Sequence, residues 1–316
     1  MVTAKDIQIC DLSVCFDTPN GYVYAVQDVN TIFSFGQITG MIGESGSGKS
    51  VMAMSILQLL SDSAQVSGQC HYGDLDLYAL PSKALEGIRG KEIGLIPQNP
   101  TASINPMMKL KKQLMEPLLH HRLADKKESQ ATVYNLLREF GFQEPEKLAN
   151  RYSFELSGGM NQRVISAHGL VCNPPWIIAD EPTKGLDSLM RNQVYRVLKQ
   201  IHQTHGCGML VITHDLLLAQ RLCQRLCVTY AGRILEQGDC QAIFDNPLHP
   251  YTKALLDAQP HKGMNPIAAG NNALDAEQSS CPFFSRCPKA SFQCTNREMA
   301  DFPAYDGRKV RCFLYA

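Results

Sequence analysis

Residues 43–50 read Gly-Glu-Ser-Gly-Ser-Gly-Lys-Ser, a spacing suited to holding the phosphates of a nucleotide. Glycines let successive backbone N–H groups turn toward an anion, and a helix that starts where the string ends adds the positive end of its dipole. On this reading the backbone of Gly43, Glu44, Ser45, Gly46, Ser47 and Gly48 surrounds phosphate oxygens. Lys49 then reaches the β- and γ-phosphates, and the Ser50 hydroxyl binds Mg2+. The apolar run at 38–42 and the helical pattern at 51–60 predict a strand before the loop and a helix after it. A second set of candidates lies at 176–182, Trp-Ile-Ile-Ala-Asp-Glu-Pro. Its apolar run predicts a buried parallel strand that delivers Asp180 to its C-terminal edge, where open α/β sheets bind ligands. Asp180 is expected in the Mg2+ shell, and Glu181 is expected to polarise a water for attack on the γ-phosphate.

Three further features fall in order around these two. Gln98 follows the apolar run ending at 97. Residues 156–160 read Leu-Ser-Gly-Gly-Met and open a helix-like stretch at 162–170, a second helix N-terminus suited to a phosphate. His214 ends the run Val211-Ile212-Thr213, and a ring nitrogen there can bond the γ-phosphate and respond to its loss. Taken singly, Gln98 reads as a turn residue, His214 as a satisfied strand-end histidine and Ser157-Gly158-Gly159 as a flexible turn. Their order along the chain gives them the nucleotide roles instead.

In that order the motifs resemble those of the ATP-binding subunit of an ABC transporter, over residues 5 to about 260. The resemblance implies an α/β fold of the ABC P-loop type: a RecA-like core, an antiparallel β subdomain and a helical subdomain. It also implies an ATPase with Glu181 as catalytic base, Gln98 as the Q-loop glutamine on Mg2+ and water, and His214 as the switch histidine. Ser157, Gly158 and Gly159 become the signature motif and Asp187 the D-loop residue. Two such subunits close head to tail, so that the signature of one caps the ATP of the other. An aromatic side chain is expected on the adenine; Phe16, Tyr22 and Tyr24 compete, and Phe16 is favoured because it ends a strand-like run.

Organisation and composition agree with this assignment. The chain has 316 residues, 44% of them apolar, enough for one large α/β unit and a small appendage. With 30 basic and 30 acidic residues the formal charge is zero, which offers no broad footprint for nucleic acid or anionic lipid. No run of 18 apolar residues exists and no signal-like N-terminus is seen. The expected place is therefore the cytoplasmic face of the cell (inner) membrane, reached by docking on partners. Alternation over residues 8–40 predicts an antiparallel β region, and residues 101–152 read as helical. The expected division is an ATP-binding domain at 1–260, with Q-loop, helical subdomain and signature at about 99–165, and a linker with a Cys-rich extension at 261–316.

The last part of the chain narrows the resemblance. Residues 246–256, Asn-Pro-Leu-His-Pro-Tyr-Thr-Lys-Ala-Leu-Leu, are similar to the segment closing the nucleotide domain in dipeptide, oligopeptide and nickel importers. This implies two transmembrane permease subunits, a second ATPase subunit that is a paralogue or an identical copy, and an external substrate-binding protein. Peptides are the favoured cargo, with nickel or a metal chelator as the alternative. A soluble ABC ATPase acting on nucleic acid or the ribosome is the rival from another class. Cys281, Cys287, Cys294 and Cys312 crowd the tail; in a reducing compartment four close thiols point to metal before disulfides. Their spacing lacks the C-x2-C pairs usual for zinc. Cys-Pro steps and four soft ligands suit a [4Fe–4S] cluster, which the resemblance also implies; zinc and reduced structural thiols stay open. Cys223 and Cys227, at helical spacing, are a weaker candidate pair. Two departures from the resemblance stand out: Lys184-Gly185 ahead of Asp187, and no Pro-Gly pair before Cys281.

Overall fold

The structure, a computed structural model, describes residues 5–19, 21–259, 281–295, 299–304 and 306–316. The stretch 261–280 that opens the expected linker and Cys-rich extension lies outside these. The chain divides into two compact units: Met1–Gln8, Ile32–Ile38 and Cys70–Ile212 form the first, and Ile9–Thr31, Thr39–Gln69 and Thr213–Ala316 the second. Strands β1 (Ile7–Thr18), β2 (Gly21–Phe33), β3 (Ile38–Ile42) and β4 (Ala64–Tyr72) each run from one stretch into the other.

In the first unit, β6 (Ile93–Ile96), β7 (Trp176–Asp180) and β8 (Gly208–Ile212) form a parallel ladder with Ile96 opposite Ala179 and Asp180 opposite Ile212. Every residue of β7 and β8 is buried, the pattern of parallel strands covered on both faces. Trp176 anchors the start of β7, its indole N–H donating to the Lys5 carbonyl at 2.7 Å. Gly208 sits beside it because a Cβ there would lie 2.6 Å from the indole. A short β5 (Leu75–Asp76) pairs with the end of β4. The helices of this unit are α2 (Ser82–Glu86), α3 (Pro100–Ser103), α4 (Leu110–His120), α5 (Lys126–Glu139), α6 (Pro145–Ala149), α7 (Gly158–Leu170) and α8 (Ser188–His205). α3 to α6 bear out the helical reading of residues 101–152. α5 starts on a capping box, Asp125 accepting from the Glu128 N–H and Glu128 from the Asp125 N–H, which satisfies two orphan donors.

In the second unit, β3 pairs in parallel with β9 (Arg225–Tyr230), which pairs antiparallel with β10 (Arg233–Asp239). Ala231 and Gly232 turn the chain between them with φ of 46° and 80°, the left-handed pair that a tight hairpin needs. α1 (Lys49–Ile56) follows β3, α9 (Leu216–Leu222) precedes β9, and α10 (Cys240–Asp245) and α11 (Pro250–Asp257) follow β10. β2, β1 and β4 are hydrogen-bonded neighbours in that order. The C-terminal extension is not a separate flap: its β12 (Lys309–Val310) pairs with β10, and β11 (Phe302–Pro303) with β12.

A buried ion pair fastens that extension. Glu236 on β10 and Arg308 just ahead of β12 are both fully enclosed and 3.1 Å apart. The Glu236 carboxylate also accepts from the Leu248 and His249 N–H groups, and Arg308 donates to the Ala242 and Asn246 carbonyls. Burial nevertheless raises Glu236 above the usual carboxylate range. Removing one partner leaves a charge enclosed without compensation. Arg308→Met is therefore expected to cost about 3–5 kcal/mol of stability, read from the denaturant midpoint, and Glu236→Leu with Arg308→Met to cost less than the single change.

Candidate nucleotide site

The phosphate loop belongs to the second unit and is framed by three neighbours. A Cβ at Gly43 would lie 2.1 Å from the Thr229 carbonyl oxygen, and one at Gly48 would lie 2.2 Å from the Ala25 carbonyl oxygen. These two glycines are required by close approach. Gly46 has open space around it but φ of 79°, so it is required by conformation. The hairpin turn closes the frame, the Gly232 N–H donating to the Ser47 carbonyl at 3.2 Å. Side chains continue it: Thr229 Oγ1 donates to the Ile42 carbonyl and lies 3.1 Å from Ser47 Oγ.

Lys49 is buried, its ammonium donating to the Gly43 and Glu44 carbonyls and to Ser47 Oγ at 2.7 to 3.0 Å. It is held over the mouth of the loop, where phosphate oxygens can take over those three acceptor roles. α1 starts directly after Gly48 with no side-chain cap and no acidic residue in its first turn, so its leading N–H groups and dipole suit an anion. Ser50 stands half-buried on that first turn, and Ser45 and Gly46 are exposed at the tip. Phe16 is half-buried on β1, while Tyr22 and Tyr24 on β2 are both 59% exposed. His214 is exposed between two fixed residues: the Thr213 N–H donates to Met41 of β3, and Asp215 caps α9.

In the first unit, the C-terminal edge of β6–β7–β8 gathers the other candidates. Gln98 leaves β6 two residues past its end and is exposed. Asp180 closes β7 at 1% exposure and Glu181 follows at 5%. Glu181 has φ of 51° with its N–H donating to Ile212 at 2.9 Å. A left-handed, non-glycine residue of this kind marks a strained position of the sort found at working sites. Ser157 caps α7, its Oγ accepting from the Met160 N–H, so Gly158 and Gly159 form the first turn as expected. Asp187 caps α8 in the same way through the Met190 N–H. The two motifs touch: a Cβ at Gly159 would lie 3.2 Å from the Leu186 side chain, and Gln162 donates to the Pro182 carbonyl at 3.4 Å. Gly185 has φ of 72°, a conformation that accounts for glycine at this departure.

The extension converges on its cysteines. Cys281, Cys287, Cys294 and Cys312 line one small cavity with His249 and Phe284. Burial pushes the Cys281 thiol up to about 12 and raises Cys287 and Cys312, and neighbouring thiols add to each shift. Such thiols stay protonated at neutral pH unless a cation takes their charge. Among the described residues, however, no group of three or more His, Cys, Asp or Glu side chains is disposed to hold a metal ion. Neither the iron–sulfur expectation nor its zinc alternative is supported by a ligand set. The Cys223 and Cys227 pairing fails for a plain reason: Cys223 closes α9 and Cys227 lies in β9, so they share no helix face.

Sequence reasoning missed what the extension does to the phosphate loop. Arg286 forms a two-pronged ion pair with Glu44, both contacts at 3.0 Å, and Tyr251 Oη accepts from the Glu44 N–H at 2.9 Å. Arg286 also donates to Tyr230 Oη at 3.1 Å. Phe283 is fully buried, its ring 5.3 to 5.5 Å from those of Tyr251 and Tyr230. Glu44 and Arg286 are 242 residues apart, and nothing local in either string announces the contact.

A strand, a glycine loop framed by backbone and a lysine over its mouth define a P-loop nucleotide-binding protein. Comparison with known proteins agrees. The family described as ABC transporter matches residues 26–184 and that described as oligopeptide/dipeptide transporter, C-terminal region, matches 235–294. The oligopeptide transport ATP-binding protein OppD of Salmonella typhimurium is 36% identical over 92% of this chain and 88% of its own length. The dipeptide transport ATP-binding protein DppD of Bacillus subtilis is 36% identical over 98% and 95%. The solved dimeric structure of a bacterial ABC transporter cassette superposes with a TM-score of 0.68 at 27% identity, covering 74% of this chain and 98% of that one. The chain belongs to the ABC transporter ATP-binding subunits, in the branch with the oligopeptide/dipeptide transporter C-terminal region, and is an ATPase.

Gly48→Ala is expected to lower both the melting temperature and ATP affinity, the latter more than tenfold, because its Cβ meets backbone. Gly158→Ala, where a Cβ meets nothing within 4 Å, is expected to leave the melting temperature unchanged. Thermal denaturation and titration calorimetry on the two variants check the contrast.

Proposed function

We propose that this chain is the ATP-hydrolysing subunit that powers uptake of dipeptides or oligopeptides through two partner transmembrane permease subunits. What carries the reading is likeness to named peptide-transport ATP-binding proteins along both cassette and tail, up to 98% of this chain. A second ATPase subunit, identical or paralogous, completes the pair, and an external binding protein delivers cargo to the permease. No helix among the described residues is long and apolar enough to cross a membrane, which fits a subunit held peripherally at the cytoplasmic face by its permease. The working division is a nucleotide domain at 1–260 and an extension at 261–316.

The residues act as follows. Backbone N–H groups of the phosphate loop and the N-terminus of α1 bind the triphosphate, and Lys49 exchanges loop oxygens for phosphate oxygens. Ser50, Gln98 and Asp180 offer hard oxygen donors of the kind Mg2+ accepts; the ion, when bound, offsets phosphate charge. Glu181 takes a proton from the attacking water as the water oxygen bonds the γ-phosphorus and the bond from that phosphorus to the β,γ-bridging oxygen breaks, so that ADP and phosphate leave. His214 bonds the γ-phosphate and senses its departure. Ser157, Gly158, Gly159 and Asp187 serve the facing nucleotide of the second subunit. Closing and reopening of the pair moves the permease through the region around Gln98.

In the extension, Cys281, Cys287, Cys294 and Cys312 line one cavity without being disposed as a metal-holding group, so a metal centre there rests on residue type and spacing alone. A [4Fe–4S] cluster suits four soft donors, and its role would be to fold the tail.

Glu181→Gln is expected to keep ATP binding and lose at least a hundredfold in turnover, as removal of a general base does. Purified from detergent-solubilised membranes with ATP, it is expected to bring two permease subunits with it. Ribosomal or nucleic-acid proteins in their place would overturn the transport reading. Cys312→Ser is expected to lower iron bound to anaerobically purified protein; unchanged iron would remove the four-cysteine centre.

A further inference from the structure

Glu44 places a carboxylate on the loop assigned to surround a triphosphate. Like charges within about a Debye length, about 8 Å at physiological salt, repel, and Glu44 is one to five residues from every other loop position assigned to phosphate. Left alone, this side chain opposes the binding that its own loop exists to perform. The structure does not leave it alone. Both carboxylate oxygens receive the Arg286 fork at 3.0 Å, the bidentate geometry that makes such pairs strong and directional. Arg286 is itself held in place: it donates to Tyr230 Oη, and its guanidinium carbon lies 5.6 and 5.8 Å from the ring centres of Tyr230 and Phe283. Tyr251 turns the Glu44 N–H outward onto its own oxygen, which fixes the backbone on which that carboxylate rides.

We infer that Arg286, reaching from the C-terminal extension, is a positioning residue for the ATP site, which neutralises Glu44 and holds the phosphate loop in its anion-accepting form. The inference rests on the assignment of residues 43–50 as the ATP site. It gives the extension a task inside the cassette that carries it. Arg286 lies in the turn between Cys281 and Cys287, so the turn that presents two of the cavity's thiols also presents the guanidinium to the loop.

Titration of the full-length chain with Mg·ATP tests this. Arg286→Ala is expected to weaken ATP binding about three- to tenfold, and the defect to shrink as salt is raised from 0.05 to 0.5 M. Arg286→Lys should recover part of the loss. Adding Glu44→Gln to Arg286→Ala should restore affinity, since the uncompensated charge is gone; a merely structural role for Arg286 would not be repaired by losing its partner. If Arg286→Ala does not fold, Arg286→Gln against Arg286→Lys carries the same comparison. Wild-type affinity in Arg286→Ala, or a double variant as weak as the single one, overturns the inference. A wild-type chain that binds no nucleotide overturns the site assignment and the inference with it.

Discussion

Everything in the nucleotide half-site depends on how closely backbone can approach backbone at Gly43 and Gly48. The loop is pressed between the Thr229 and Ala25 carbonyls at distances that no side chain survives, and that pressure fixes the path its backbone takes. Burial of β3 on both faces supplies the rigidity, and the β9–β10 hairpin supplies the roof through Gly232. Lys49, with three oxygens around its ammonium, is the movable element in an otherwise fixed cradle. A strained Glu181 at the end of a fully buried strand follows the same logic: rigid core strands carry reactive groups to their edge and hold them in conformations a loop alone would relax.

The chemistry of the cassette was legible in the chain because it is written in short strings. Gly43 to Ser50, Asp180-Glu181 and Ser157-Gly158-Gly159 each need specific residue types within a few positions, and each sits where the apolar pattern changes period. The helical stretch after Gln98 was legible for the same reason. What stayed hidden was pairing across long separations. β11 and β12 are two residues each, too short to show alternation, so the tail read as an appendage although it adds to the sheet beside β10. The Glu236–Arg308 pair and the Glu44–Arg286 pair are long-range matches between charged residues, of which the chain has 60, and local pattern cannot choose among them. Cys223 and Cys227 misled because four-residue spacing means a shared face only inside one helix.

The extension therefore has two physical roles in one short segment. Its strands and Arg308 close the second unit around a buried carboxylate, and its first turn places a guanidinium on the phosphate loop. Four thiols line a small cavity in the same segment. The tail is thus tied to the rest of the second unit at two points, Arg286 on Glu44 and Arg308 on Glu236.

ATP taken up by this loop is expected to drive peptide transport. The most direct measurement is accumulation of a labelled oligopeptide in vesicles reconstituted with the chain, the permease that co-purifies with it and an excess of ATP. Accumulation is expected to require ATP and to disappear in Lys49→Ala. Accumulation that proceeds equally without ATP, or in the Lys49→Ala chain, would contradict that expectation.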